Sequence, residues 1–199
     1  MKKFILYIFI FLIASFSELI AKNAEKKNCS NQVEILHNKL KQNNLSQDSL
    51  KKKFVQTKNI VSDIFDYEKM IRIIYGRNWK KIEINKQNEM KEIFLDYMSY
   101  NYTKRFSNIK QLDFKIINNN LIENKILVNS LLIIDSNEKI NISYLCNLDS
   151  KIEKIFDIII DGSISEISTK KSEFSKLIKS GGPNGLIEAL ESKLIFERN

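Results

Sequence analysis

The chain has little of what most catalytic and metal sites are built from. Its 199 residues include one histidine, one proline, five glycines and two cysteines. His37 has no cysteine at metal-ligand spacing near it, and a Gly-x-Ser-x-Gly nucleophile pattern is absent. Gly181 and Gly182 follow a predicted helix rather than a strand, which excludes a phosphate-binding loop. These absences predict a protein that is not an enzyme, with no metal and no cofactor.

Asp157 and Asp161 form the carboxylate pair that best suits acid-base chemistry. Asp157 lies on a predicted strand and Asp161 ends it, four residues further along. That spacing separates them by about 13 Å, farther than paired catalytic carboxylates use. We therefore expect both to stabilise turns and to contact neighbouring lysines.

Linkers and repeats are also absent. Pro183 is the only proline and no Ser/Gly-rich segment interrupts the chain.

The amino terminus has the layout of a secretory signal peptide, with Met1-Lys2-Lys3 followed by the apolar run Phe4–Phe16. This run is short for a membrane span, which needs about 20 residues. We predict a signal peptide over residues 1–21, cleaved after Ser17 or Ala21, and one domain over residues 22–199.

The net charge of +8 favours acidic partners such as anionic lipid head groups, membrane surfaces or nucleic acid. Export removes access to nucleic acid, and most basic residues are scattered among acidic ones, so no nucleic-acid partner is predicted.

In an oxidising compartment Cys29 and Cys146 could form a disulfide. Cys146 suits equally well a buried position on a strand face with Ile142 and Tyr144.

Apolar periodicity predicts helices first and strands second. The helices are predicted around Val33–Leu40, over Leu50–Ile64, from Asp66 to Gly76 and over Gln87–Phe106. The strands are predicted over Leu112–Ile117, Ile126–Ile134, Ile140–Leu148 and Ile155–Ile160, with the first turn at Asn118–Asn120. Two closing helices follow, capped by Ser163 or Ser165 and separated at Gly181-Gly182-Pro183. The fold class is therefore α+β, with a curved antiparallel sheet of about four strands.

Two blocks of motifs, spread over Val33 to Leu194, resemble one known family. The first block comprises Asp157, Asp161-Gly162, Ile164-Ser165, Lys171, Glu173-Phe174 and Gly182-x-x-Gly185-Leu186. The second comprises Ile60-Val61, Phe65-Asp66, Tyr75-Gly76-x-x-Trp79 and the row Phe94, Met98, Tyr102 and Phe106. This ordered set resembles the periplasmic phospholipid-carrier family of the Mla outer-membrane lipid-asymmetry pathway, also described as a toluene-tolerance auxiliary component. Lys171 stands where that family usually has Arg, and Glu153 where it often has Trp.

The resemblance implies a shuttle without chemistry. It implies a phospholipid held by its acyl chains between helices and sheet, in the periplasm of a Gram-negative bacterium. The implied partners are an inner-membrane ABC transporter complex with a lipid-binding ring protein, and an outer-membrane lipoprotein–porin complex. We expect the carrier itself to be a monomer, and the helices near Gly76 and Gly181 to open for release.

Apolar residues on the predicted helix stripes and the inner sheet face are the candidate lipid-binding residues. They are Phe65, Ile74, Phe94, Met98, Tyr102, Ile142, Tyr144, Phe156, Ile158 and Ile160. Two alternatives stay open at this point. In the first, the chain is a carrier whose ligand is a hopanoid or another sterol-like lipid. In the second, it is a secreted adaptor whose apolar stripes are all ordinary core.

Overall fold

The computed structural model describes residues 28–107, 109–135, 138–148 and 152–194. The predicted signal peptide lies outside these described residues. The helices are α1 Cys29–Leu45, α2 Leu50–Ile64, α3 Tyr67–Tyr75, α4 Ile84–Phe106 and α5 Glu166–Glu191, with a 3-10 turn at Trp79–Lys81. The strands are β1 Leu112–Ile122, β2 Lys125–Ile134, β3 Glu138–Asn147, β4 Ile155–Ile160 and β5 Ile164–Ser165. The predicted α+β class is confirmed.

The helix ends follow local side-chain chemistry. Asp66 accepts the backbone N–H of Lys69 at the start of α3, and Gly76 ends that helix with φ at 88°. Ser165, rather than Ser163, caps α5 by accepting the backbone N–H of Ser168. These start and stop signals are short-range, which is why the sequence predicts them well.

The sheet is antiparallel and open, in the order β1-β2-β3-β4-β5. It has five strands rather than about four, because the two-residue β5 pairs with the end of β4. The turn predicted at Asn118–Asn120 is wrong: these asparagines continue β1 and pair with β2, and the chain turns at Glu123-Asn124. Asparagine favours turns, but here the cross-strand pairing of an exposed hairpin determines the backbone.

One face of the sheet is buried under the helices. Val128, Leu132 and Tyr144 on this inner face are at most 3% exposed. α1 contacts strands β1 to β4, whereas α3 and α5 contact β4. The first residue of α1 is joined to β3 by a disulfide between Cys29 and Cys146, whose Cα atoms are 5.9 Å apart. The helical layer is thus covalently attached to the sheet.

The last helix is made of two segments, as predicted. Gly182 has non-helical backbone angles, with φ at 57°, and Pro183 begins the second segment, where its missing N–H costs nothing. A Cβ atom at Gly185 would lie 2.8 Å from the Leu177 carbonyl oxygen. The glycine therefore permits close approach between the two segments. The second segment buries Leu186 and Leu190 in the core.

Candidate functional site

A cavity of about 140 Å³ lies between the helices and the inner face of the sheet. Roughly 10–15 Å³ on this scale accommodates one water, so the space exceeds a packing defect. Its lining is mostly apolar and comprises Met70, Ile74, Phe94, Tyr97, Met98, Asn101, Tyr102, Arg105, Phe106, Ile142, Tyr144, Ile158, Ile160, Glu166, Ile167 and Lys170.

Helix α4 forms the long wall of this cavity. Phe94, Met98 and Tyr102 recur every four residues and line the apolar interior of the cavity. Tyr97, Asn101 and Arg105 form the neighbouring row. From Phe94 to Arg105 the helix rises about 16 Å at 1.5 Å per residue. The wall is thus elongated, with a buried phenyl ring at one end and an exposed guanidinium at the other.

The opposite wall comes from β3 and β4. Ile142 lies opposite Ile160, and Tyr144 lies opposite Ile158 in the strand register. Side chains in such pairs share one face of the sheet, so all four point towards α4. The two strands together present a continuous apolar surface with one hydroxyl group in it.

Eight of the ten candidate lipid-binding residues line this cavity. They are Ile74, Phe94, Met98, Tyr102, Ile142, Tyr144, Ile158 and Ile160. Phe65 does not: it is fully buried behind the lining, with its ring centroid 5.7 Å from that of Tyr102. Phe156 also lies outside, because the β3–β4 register shifts beside it, between Leu145 and Cys146. Its ring instead packs under the Lys69 ammonium, 3.6 Å from the ring centroid.

The candidate set omitted the polar lining residues. Asn101 and Arg105 follow Tyr97 at four-residue steps, a spacing that was available in the sequence as a second row on α4. Glu166 and Lys170 lie on α5, about 60 residues further along the chain. No local pattern connects the two pairs, so only the packing of α5 against α4 brings them to one cavity.

His37 and Tyr144 form a neutral polar pair behind the apolar interior of the cavity. The His37 Nε2 atom is 3.0 Å from the Tyr144 hydroxyl, and the imidazole stacks on Phe114 with centroids 4.2 Å apart. Burial lowers the pKa of His37 to about 4; the charge of Lys41 acts in the same direction and that of Asp113 opposes it. Burial also raises the pKa of Tyr144. At neutral pH this pair therefore brings no charge to the cavity.

The mouth of the cavity is polar. Arg105 is exposed, whereas Asn101, Glu166 and Lys170 are half-buried. The Lys170 ammonium lies 2.8 Å from a Glu173 carboxylate oxygen and 4.0 Å from one of Glu166. The cavity thus combines an apolar interior with charges at its opening, the arrangement that an amphipathic ligand requires.

Asp157 has a structural role, as expected, but its hydrogen-bond partners are backbone N–H groups and a hydroxyl rather than lysines. Its carboxylate accepts the backbone N–H groups of Ile158 and Ile167 and the hydroxyl of Ser165, and it is 9% exposed. These bonds secure the start of α5 against β4, where a negative charge also favours the helix dipole. Asp161 accepts the backbone N–H of Asn141 at the neighbouring turn. Asp157 therefore positions the α5 residues that line the cavity.

Two other kinds of site are absent from the described ranges. Within residues 28–107, 109–135, 138–148 and 152–194, no group of three or more His, Cys, Asp or Glu side chains is arranged to hold a metal ion. In the same ranges, no helix combines the length and the apolar character needed to cross a bilayer.

The fold is that of a known lipid-binding structure. It superposes with a TM-score of 0.74 on the phospholipid-binding protein from Ralstonia solanacearum, solved in complex with a phospholipid. The two sequences are 19% identical, and the match covers 84% of this chain and 97% of the other. Residues 30–192 match the sequence model described as MlaC protein, and the chain belongs to the MlaC family. No curated protein sequence matches it significantly.

Proposed function

We propose that this protein binds a phospholipid by its acyl chains and carries it through the periplasm. The observation that supports this most directly is the cavity between α4 and the sheet, with an apolar interior and a charged mouth. Family membership and the phospholipid in the Ralstonia solanacearum structure support the same ligand class. Each buried methylene contributes about 0.8 kcal/mol, so even a partly enclosed acyl chain supplies substantial affinity.

The proposed role is a shuttle between two membranes. Because the cavity residues supply binding surface and no catalytic constellation, the ligand leaves unchanged. The lipid passes between an inner-membrane ABC transporter complex and an outer-membrane lipoprotein–porin complex, which maintains outer-membrane lipid asymmetry. Release of a buried acyl chain then requires a docking partner that favours an open state of the helix–sheet gap. The positive net charge of the chain assists its approach to anionic membrane surfaces.

Native mass spectrometry of the protein, purified from a Gram-negative periplasm without detergent, tests this function. We expect a mass increase corresponding to one bound lipid, and organic extraction that identifies a phospholipid. A sterol-like lipid in the extract would replace the phospholipid as ligand. A lipid-free mass that persists after incubation with phospholipid vesicles would contradict the carrier function and favour an adaptor.

A further inference from the structure

Two opposite charges at the cavity mouth have weak or no protein partners. Among the described residues, the Arg105 guanidinium makes no hydrogen bond or ion pair, although it lines the cavity. Within the same described residues, the ion-pair contact of Glu166 is the 4.0 Å one with Lys170, whose ammonium lies closer, at 2.8 Å, to Glu173. In the part of the chain that the structure describes, the mouth therefore offers the Arg105 guanidinium without an ion pair, and the Glu166 carboxylate loosely paired, to a ligand that enters.

These two charges come from different helices and line one cavity. Arg105 lies in the last turn of α4, and Glu166 is the first residue of α5. Both share this lining with Tyr102. Burial contributes most to the raised pKa of the Tyr102 hydroxyl; the charge of Arg105 lowers this pKa and that of Glu166 raises it. Tyr102 itself lines the apolar interior of the cavity. An amphipathic ligand with its tail along α4 would place its polar group beside Arg105 and Glu166 at the mouth.

The chemistry of each group indicates its counterpart. A guanidinium binds a phosphodiester through parallel charge-assisted hydrogen bonds, and a carboxylate pairs with an ammonium group. We propose that Arg105 and Glu166 form a dipolar head-group site that selects zwitterionic phospholipids over anionic ones. This inference rests on the proposed function and specifies its ligand class. It opposes the simplest electrostatic expectation, because a chain with a net charge of +8 attracts anionic lipids non-specifically.

Competitive loading from mixed vesicles tests the site. Lipid-free protein is incubated with vesicles of phosphatidylcholine, phosphatidylethanolamine and phosphatidylglycerol in equal parts with identical acyl chains. The protein is then re-isolated and its lipids are quantified by mass spectrometry. The variants are Arg105→Gln and Glu166→Gln. Lys104→Gln and Glu188→Gln are matched controls, because they remove the same charges from exposed positions on the same two helices outside the cavity lining.

We expect the wild-type protein to raise the ratio of each zwitterionic lipid to phosphatidylglycerol about fivefold above that in the vesicles, as about 1 kcal/mol for a partly exposed charge pair gives. Glu166→Gln should abolish this enrichment while leaving phosphatidylglycerol loading unchanged. Arg105→Gln should lower loading of all three lipids about fivefold. Both controls should behave as wild type, and all four variants should retain a cooperative unfolding transition in urea.

Other results would separate failure of the head-group site from failure of the carrier function. Captured lipid that matches the vesicle composition, and stays unchanged in Arg105→Gln and Glu166→Gln, would overturn the head-group site and leave the carrier function standing. Enrichment of phosphatidylglycerol by the wild type would also overturn it. A wild-type protein that captures no phospholipid would contradict the proposed function, and the head-group site with it.

Discussion

Replacing Ile158 with tryptophan should block the cavity while preserving the fold. Ile158 is 9% exposed and projects from β4 into the cavity of about 140 Å³. In a filled core, an enlarged side chain costs about 1–3 kcal/mol of the free energy of unfolding. Here the indole has empty space to enter, so we expect a loss of less than about 1 kcal/mol. Ligand binding should suffer far more than stability.

The expected loss of affinity follows from the methylene groups that the indole displaces. Each excluded methylene costs about 0.8 kcal/mol, so displacing only two weakens binding by about 1.6 kcal/mol, or roughly 15-fold. The assay compares lipid loading from phospholipid vesicles by native mass spectrometry with urea unfolding of the same samples. Ile159→Trp is the matched control, because this neighbour projects from the opposite face of β4 and does not line the cavity.

Either of two results would refute the binding of acyl chains in this cavity. Equal loading of the Ile158→Trp and Ile159→Trp variants would show that acyl chains do not occupy this space. Loss of stability in Ile158→Trp with no change in loading would show that the position is ordinary core, which is the behaviour expected of an adaptor.

Three further predictions concern stability. Reducing the disulfide, which joins residues 117 positions apart, should lower the free energy of unfolding by about 2–5 kcal/mol in urea titrations with and without dithiothreitol; identical curves would contradict this. Because the pKa of His37 is lowered to about 4 in the folded state, unfolding takes up a proton between pH 6.5 and 4. Stability should therefore fall by about 2 kcal/mol from pH 7.5 to 5, and His37→Gln should lose this dependence in urea titrations at both pH values. Gly185→Ala should destabilise the protein by about 1–3 kcal/mol in thermal unfolding, because the added Cβ would clash with the Leu177 carbonyl oxygen. Gly181→Ala is the control and should not destabilise it, because the space around Gly181 is open. Equal effects of the two substitutions would argue against the close approach at Gly185.

Features set by neighbouring residues were predictable from the sequence. The start of α3 at Asp66 and its end at Gly76 depend on a few adjacent groups. The order of helices before strands, and the break at Gly182, likewise follow from periodicity and from backbone preferences. Eight cavity residues were found in the same way, because a helix stripe or a strand face that is buried also tends to line whatever space the core leaves.

Features set by packing between distant segments were not predictable. The register shift beside Phe156 removes that ring from the cavity wall, although strict alternation places it there. The asparagines of β1 form strand because β2 pairs with them. Periodicity assigns a residue to a face but does not say whether that face is filled core or borders empty space. The cavity itself, and the presence of both Arg105 and Glu166 in its lining, therefore depend on how α4, α5 and the sheet pack together.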